Sequence, residues 1–300
     1  MALEDRPSDR AQLEESARQG DPAALRAFGD AVFLWSDAEK IGKAIGAYQN
    51  ALEKEPGHGP THFRLGVAYR KRYDSDLRGK GDFRQAIEHW RRALDIDPNQ
   101  YIWRRRIQQY GPRLDKPYSF YDWIAKAKEE IRGRGDTPTP LRVAPGGAEF
   151  AYPVKNFETS RLKREEPDQQ GRILRDEEGL IHVETVVVPS TTKSGSSARV
   201  HVVLWPNLQK KAHWNNEVDD LVFWVNSPQG WKVNQPYLTV QNPPQTVSQE
   251  IRKVEFELKR SPGFTGPVMI AAYALYYVCE DVNGTCLYRR RDIPIQLDAE

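Results

Sequence analysis

From Asp21 to about Arg134 apolar residues recur three and four positions apart, the spacing that lines up one side of an α-helix. No stretch in this half alternates with a period of two for long enough to make a strand, so it is predicted to be all helix. From Leu180 onward the pattern changes to short β-branched and aromatic runs: LIHVETVVVP, ARVHVVLWP, LVFWVNSP, WKVNQPYLTV, RKVEFELKR, then GPVMIAAYALYYVC and CLYRRRDIPIQL. Each run is bounded by Pro, Gly, Asn or Ser, as strands are. The first two, separated by the small polar residues STTKSGSS, predict a hairpin. About seven short strands with turns every 8 to 12 residues predict an immunoglobulin-like β-sandwich. Between the halves, Gly133 to Gly179 is rich in Pro, Gly and mixed charge and reads as a linker or extended arm, with Leu141, Val143, Phe150 and Tyr152 alternating as in a short edge strand. The predicted fold class is therefore α+β as two domains, all-α helical repeats over 1–134 and an all-β sandwich over 180–300, joined by 135–179.

The helical half repeats itself. In KIGKAIGAYQNALEKEPGHG and DFRQAIEHWRRALDIDPNQY, residues Ala44, Tyr48, Ala51 and Pro56 match Ala86, Trp90, Ala93 and Pro98, each pair 42 residues apart. The helix before the second unit, THFRLGVAYRKRY, adds Leu65, Gly66 and Tyr69. These residues resemble a tetratricopeptide repeat, in which small residues let paired helices approach and aromatic residues fill the space between hairpins. The family period is 34, so the offset implies about eight inserted residues, placed in RYDSDLRGKGD. YIWRRRIQQYG and SFYDWIAKAKEEI read as a degenerate third pair, with Trp103, Tyr110, Tyr118 and Trp123 packing there as a cap or docking face. The resemblance implies a groove that takes a peptide or protein. Arg104, Arg105 and Arg106 are the candidate partner-binding residues, because an arginine fork suits a carboxylate; the alternative is a solvated helix face. His58, His62 and His89 read as packing or surface residues.

Charge and composition narrow the function. With 44 basic against 42 acidic side chains the net charge is +2, which gives no footprint for nucleic acid. The run Val268–Cys279 is 12 residues long and ends against Glu280 and Asp281, too short to span a bilayer. The N-terminal MALEDRPSDRAQ lacks the apolar core of a secretory signal. No glycine-rich phosphate loop, paired-carboxylate motif or nucleophile elbow appears, which argues against kinase or hydrolase chemistry, and no cofactor is implied.

Cys279 and Cys286 are the only two cysteines, at the ends of two strands joined by EDVNGT. If the six intervening residues form an open loop, the cysteines are directly opposed and can bond with little movement. If Asn283 and Gly284 make a tight turn, they sit one diagonal apart and need a backbone shift. In both registers the sulfurs share one face. A bond closing so small a ring adds at most about 2.5 kcal/mol, a modest return for a staple on strands already held by a sheet. Arg289, Arg290 and Arg291 would favour a thiolate, whereas Glu280 and Asp281 oppose it.

The ending AYALYYVCEDVNGTCLYRRRDIPI resembles the cysteine hairpin of the N-terminal periplasmic domain of the thiol:disulfide interchange protein DsbD family, an immunoglobulin-like domain. This chain has six residues between the cysteines, one more than that family's pattern, and places Leu287 before Tyr288. The resemblance, over about residues 180 to 298, implies that Cys279 and Cys286 are the exchanging pair, that the partner is a thioredoxin-like protein or domain, and that the location is periplasmic or extracytoplasmic. A cytoplasmic location is the alternative that the N-terminus leaves open. HWNNEVDD is a candidate for the segment that shields the pair, by position. Two alternatives stand beside exchange. One is a non-catalytic scaffold in which both halves only bind proteins. The other is a copper or zinc site drawing on His182, His201 and His213 with the cysteines.

Overall fold

The computed structural model describes residues 10–112, 122–138, 164–190, 197–264, 266–280 and 284–297. The chain divides into two compact units, residues 1–109 with 120–146, and residues 110–119 with 147–300. The first is helical and the second is a two-sheet sandwich, the two-domain α+β architecture expected.

The helical unit contains α1 (Arg10–Arg18), α2 (Pro22–Trp35), α3 (Ile41–Lys54), α4 (Gly59–Tyr73), α5 (Asp82–Ile96), α6 (Tyr101–Gln108) and α7 (Asp122–Gly133). The helix starts are written locally. Asp21 accepts from the Ala24 N–H at 2.8 Å and Pro22 opens α2, while the His58 ring accepts from the Thr61 N–H ahead of α4. The two hairpins, α2 with α3 and α4 with α5, are built on one device. A Cβ added at Gly29 would lie 2.6 Å from the Tyr48 ring, and one added at Gly66 would lie 2.5 Å from the Trp90 ring. Glycine is required at both because the large aromatic of the second helix lies against the backbone of the first.

These two glycines are 37 residues apart, whereas Tyr48 and Trp90 are 42 apart, so five residues of the offset fall in the loop between α4 and α5. That loop is closed by the buried carboxylate of Asp82, which takes Arg72 through two bonds of 2.9 and 2.6 Å and the Gly79 N–H at 2.7 Å. The insertion therefore carries its own ion pair and leaves the helix packing undisturbed. In the third pair, Trp103 stacks on Phe63 with ring centroids 5.7 Å apart and Ala127 is fully buried. Tyr118 and the Trp123 side chain lie outside the described residues, as do Leu141, Val143, Phe150 and Tyr152.

Between α4 and α5 two histidines meet. His62 Nε2 lies 2.9 Å from the Pro56 carbonyl and must donate to it, so its Nδ1 is an acceptor; His89 Nδ1, 2.9 Å away, then donates to it. Burial disfavours the charged form of both rings. Burial pushes the His89 pKa down to about 4, with the His62 ring adding to the shift. The unfolded chain takes up this proton near pH 6.5 and the folded chain only near 4, so the folded state gains stability as pH rises through that window. Helical stability is expected to fall by about 2 to 3 kcal/mol between pH 6.5 and 4. Urea midpoints read by the helical signal at several pH values check this, and His89→Gln should flatten the dependence.

Among the described residues the sandwich has ten strands: β1 (Ile181–Pro189), β2 (Ser197–Pro206), β3 (Ala212–Asn215), β4 (Leu221–Val225), β5 (Trp231–Val233), β6 (Tyr237–Val240), β7 (Val247–Ser248), β8 (Arg252–Arg260), β9 (Val268–Glu280) and β10 (Cys286–Leu297). One sheet has the order β1-β2-β8-β5; the other has β6-β4-β9-β3-β7, with β10 on the far side of β9. All strand pairs are antiparallel, and β1 with β2 is the predicted hairpin. Strand alternation sends Val200, Val202, Leu204, Phe223, Phe256, Ala274, Tyr276 and Val278 into the core between the sheets, with Trp214 set edge-on against Tyr276 at 5.6 Å.

The described part of the intervening segment, residues 164–179, is bonded onto this sandwich. Arg175 bridges Arg290 in parallel: the Arg290 N–H donates to the Leu174 carbonyl and the Asp176 N–H to the Arg290 carbonyl, both at 2.9 Å. Arg290 donates to the Asp168 carboxylate at 2.7 Å and lies over the Tyr273 ring at 3.7 Å. The Asp168 carboxyl is held below its ordinary range by the Arg290 guanidinium and the N–H groups of Arg172 and Ile173, which outweigh the opposing effect of burial.

Candidate thiol-disulfide site

The site is set by the register of β9 against β10. Cys279 stands directly opposite Cys286, with Cα atoms 4.0 Å apart, and the two sulfurs are bonded. The Glu280 N–H donates to the Thr285 carbonyl at 3.3 Å, so residues 280 and 285 form the hydrogen-bonded pair of the ladder. The cysteines fall on the adjacent non-hydrogen-bonded pair, where side chains approach most closely. Of the two expected registers the structure has the one with the cysteines directly opposed, and residues 280 and 285 are paired beyond them; Asp281, Val282 and Asn283 lie outside the described residues.

The two sulfurs differ in setting. Cys279 is flanked by β10 on one side and β3 on the other, and is 2% exposed; Cys286 lies on the outermost strand and is exposed. His213 stands opposite Cys279 on β3 and therefore on the same face. It is the first residue of HWNNEVDD, and the next, Trp214, is already paired with Val278 and turned into the core. Two residues along, Tyr277 and Tyr288 stack with centroids 4.5 Å apart on this face, Tyr288 being 38% exposed. Burial pushes the Tyr288 phenol up to about 12, the Tyr277 ring adding to it. Trp224 and Tyr237 meet edge to face farther along the sheet. Of the aromatic residues in this half, Trp214, Phe223, Phe256 and Tyr276 lie between the sheets, Trp231 packs against that core and Tyr273 is buried beneath the arm, whereas Trp205, Trp224, Tyr237 and Tyr277 are half-buried on outer faces.

The arginine run does not act on the sulfurs as one patch. Alternation places Arg289 and Arg291 on the opposite face from Cys286, and Arg291 donates to the Asp176 carbonyl at 2.9 Å. Arg290 shares the face but stands four residues away, about 13 Å along the strand, and is taken up by Asp168 and Asp292. At the hairpin mouth, Glu280 is hydrogen-bonded by Glu178, which holds the Glu280 carboxyl above its ordinary range.

The other candidate residues are dispersed. His182 and His201 are on the β1-β2-β8-β5 sheet and His213 is on the other. His182 packs against Trp205, and His201 is buried, with Nδ1 3.0 Å from Glu255 and Nε2 2.8 Å from the Tyr110 carbonyl. The His201 hydrogen bond and Arg199 hold the Glu255 carboxyl down at about 2. The three histidines are thus not brought together, and among the described residues no group of three His, Cys, Asp or Glu gathers at ligand distance. The expectation of Tyr110 in the third helix pair is also corrected: it is placed with the sandwich residues, its ring edge-on to His201.

Arg104, read as part of a carboxylate clamp for a partner, is corrected too. It is buried and its carboxylate is the chain's own Glu130 on α7, at 2.9 Å, with the Pro98 carbonyl at 3.4 Å. Arg106 lies over the Trp90 ring at 5.8 Å, and Arg105 is partly buried. Sequence reasoning did not find the Arg290–Asp168 tie, because its partners are 122 residues apart.

Among the described residues no helix is long and apolar enough to cross a membrane. No protein-family model matches the chain, and no curated protein matches it. Solved structures similar to parts of it include MamA, at 19% identity over 42% of this chain and 68% of that one, with a TM-score of 0.29. A FixG-related protein from Vibrio parahaemolyticus is similar at 6% identity over 40% of this chain and 95% of its own, with a TM-score of 0.22. The GAE domain of yeast GGA1 is similar at 13% identity over 38% and 91%, also with a TM-score of 0.22.

Proposed function

We propose that the sandwich carries out thiol–disulfide exchange, with Cys286 as the sulfur that partners attack and Cys279 as the resolving thiol. The observation that carries this reading is the unequal setting of two directly opposed, bonded cysteines. Displacement at sulfur runs in line with the bond being broken, and the bond here crosses from β9 to β10. Attack on Cys286 comes from beyond the outer strand; attack on Cys279 would have to come through β3 and His213.

In the first step an incoming thiolate bonds to the Cys286 sulfur, the Cys279–Cys286 bond breaks, and Cys279 leaves as a thiolate that takes a proton from solvent. A second thiol of the partner then attacks the partner's sulfur in the mixed disulfide and releases Cys286. The partner dithiol is oxidised by two electrons and the Cys279–Cys286 pair is reduced. The reverse sequence reduces a partner disulfide. The partner chemistry is a dithiol protein of the thioredoxin-like kind, the helical repeats supply a docking surface for a protein, and the setting is extracytoplasmic, where such bonds persist.

The test is a pair of single variants mixed with a thioredoxin-like dithiol protein in its disulfide form. Cys279→Ser, which keeps the attacked sulfur and lacks the resolving one, should accumulate a mixed disulfide seen on a non-reducing gel; Cys286→Ser should give little or none. Equal trapping by both variants overturns the assignment of roles. A reduction potential of the native pair below about −300 mV overturns exchange altogether and leaves the bond structural in a binding scaffold.

A further inference from the structure

We propose that the outer edge of β10 at Cys286 and Tyr288 is a strand-addition site, which takes an extended, cysteine-bearing segment of the redox partner as an added strand. This rests on the exchange reading for the identity of the partner, but the edge itself is defined independently of it.

Because residues 280 and 285 bond across the hairpin, every second residue from Cys286 onward in β10 turns its N–H and C=O away from β9. Arg290 shows this phase directly, since its outward N–H and C=O are the groups bonded by Leu174 and Asp176 of the arm. Pro294 has the same phase and presents no N–H at all, the usual way of closing an edge. Among the described residues, Cys286 and Tyr288 have neither protection.

The arm stops short of them for a stated reason. Continued in parallel, it would reach Tyr288 with residues 172 and 174. Instead the Asp168 carboxylate takes the N–H groups of Arg172 and Ile173 at 2.8 and 3.3 Å, and Gly171 turns with φ of +64°. The chain is folded back after a single bridge. Among the described residues no backbone bond meets the outward groups of Cys286 or the Tyr288 N–H, and the Tyr288 carbonyl accepts from the side chain of its half-buried neighbour Arg289 at 3.3 Å.

What selects the occupant is the reaction direction. In-line attack on the Cys286 sulfur comes from outside β10, where an added strand would run, so backbone pairing at Cys286 and Tyr288 would hold the partner's thiolate beside its target. The stacked Tyr277 and Tyr288 rings share the cysteine face and would flank the partner's cysteine. The chain's own arm already uses this edge through backbone bonds, one repeat farther on.

The first experiment traps the geometry without relying on turnover. Cys279→Ser is joined through Cys286 to the peptide Thr-Val-Ser-Cys-Val-Thr-Lys and compared with the same variant capped by a methylthio group. Amide hydrogen exchange at Tyr288 should slow by at least about tenfold in the peptide adduct, in line with one added backbone bond. Equal exchange in the two adducts overturns strand addition. Protection that appears in the capped variant and grows with protein concentration assigns the edge to a second copy, and overturns the partner segment as its occupant.

The second experiment compares Tyr288→Pro, which removes the outward N–H at a phase that Pro294 shows the strand tolerates, with Tyr288→Ala, which removes the ring alone. Reduction by a dithiol peptide should be about tenfold slower for the proline variant than for the alanine variant, while reduction by dithiothreitol is equal. Equal rates with the peptide overturn the proposal. If neither reagent reduces the native protein, the exchange reading fails by itself, because the trapped adduct reads the edge separately.

Discussion

Replacing Asp176 with Ala is expected to destabilise the sandwich by about 3 to 5 kcal/mol, a large fraction of an ordinary domain's stability. The Asp176 carboxylate is buried and is the acceptor for three donors: the N–H groups of Leu180 and Ile181, both at 2.9 Å, and the Tyr276 hydroxyl at 2.8 Å. Its own N–H and carbonyl are also used, by Arg290 and Arg291. Burial, together with this carboxylate, pushes the Tyr276 phenol well above its ordinary range, so the hydroxyl remains a donor.

Removing the carboxylate leaves three buried donors without their acceptor, and the cost of an unmade bond exceeds the net worth of a made one. Asp176→Asn keeps one oxygen and should recover part of the loss, whereas Tyr276→Phe, which removes one donor with its bond, should lose only about 1 to 2 kcal/mol. Urea midpoints followed by near-ultraviolet circular dichroism of the full chain check the order Ala, Asn, Phe. An alanine variant no worse than the phenylalanine one would show that the carboxylate does not join the arm to the sheet.

Trp90→Ala should cost the helical unit about 3 to 5 kcal/mol. The side chain is fully buried, its Nε1 donates to the Phe63 carbonyl at 3.2 Å, and its ring fills the space above Gly66. The backbones of α4 and α5 are held at a fixed separation by their other contacts, so a cavity remains where the indole was. Gly66→Ala tests the same contact from the other side: the added methyl would also meet the Ala86 carbonyl at 3.0 Å, and a backbone atom cannot swing away. A loss of about 1 to 3 kcal/mol is expected there. With two units in one chain, the measurement is the midpoint of the helical transition by far-ultraviolet circular dichroism, and an unchanged midpoint for Trp90→Ala would remove the indole from the account of repeat packing.

The helical half was legible because each of its rules is local. Apolar spacing marks the buried face, Asp21 and Pro22 mark a start, and the small and large residues that recur at 42 are those that meet when two helices pair. The lengthened loop was legible from its glycines and charges, but not its ion pair or its size: about eight inserted residues were expected there and five are found. In the strand half, the β-branched runs marked where strands lie but not which strand neighbours which. Pairing is decided by how both sheets cover their apolar faces at once. The aromatic residues show the limit most plainly. Trp214 and Tyr276 turn inward while Tyr277 and Tyr288 turn outward, and a shift of one residue in register would exchange the faces.

The cysteine site divides in the same way. Sequence determined that two thiols end neighbouring strands and share one face, because strand alternation has a period of two. It left open whether they were opposed or diagonal, and it read Arg289, Arg290 and Arg291 as one basic patch beside them. Only the tertiary structure decided that the ladder pairs Cys279 with Cys286, that β3 closes over the first and leaves the second at an edge, and that the arginines divide between two faces. Those outcomes depend on β3, β10 and the arm meeting on β9 from segments up to about a hundred residues apart. Contacts of that range follow from the packing of whole sheets, which no local pattern of residues records.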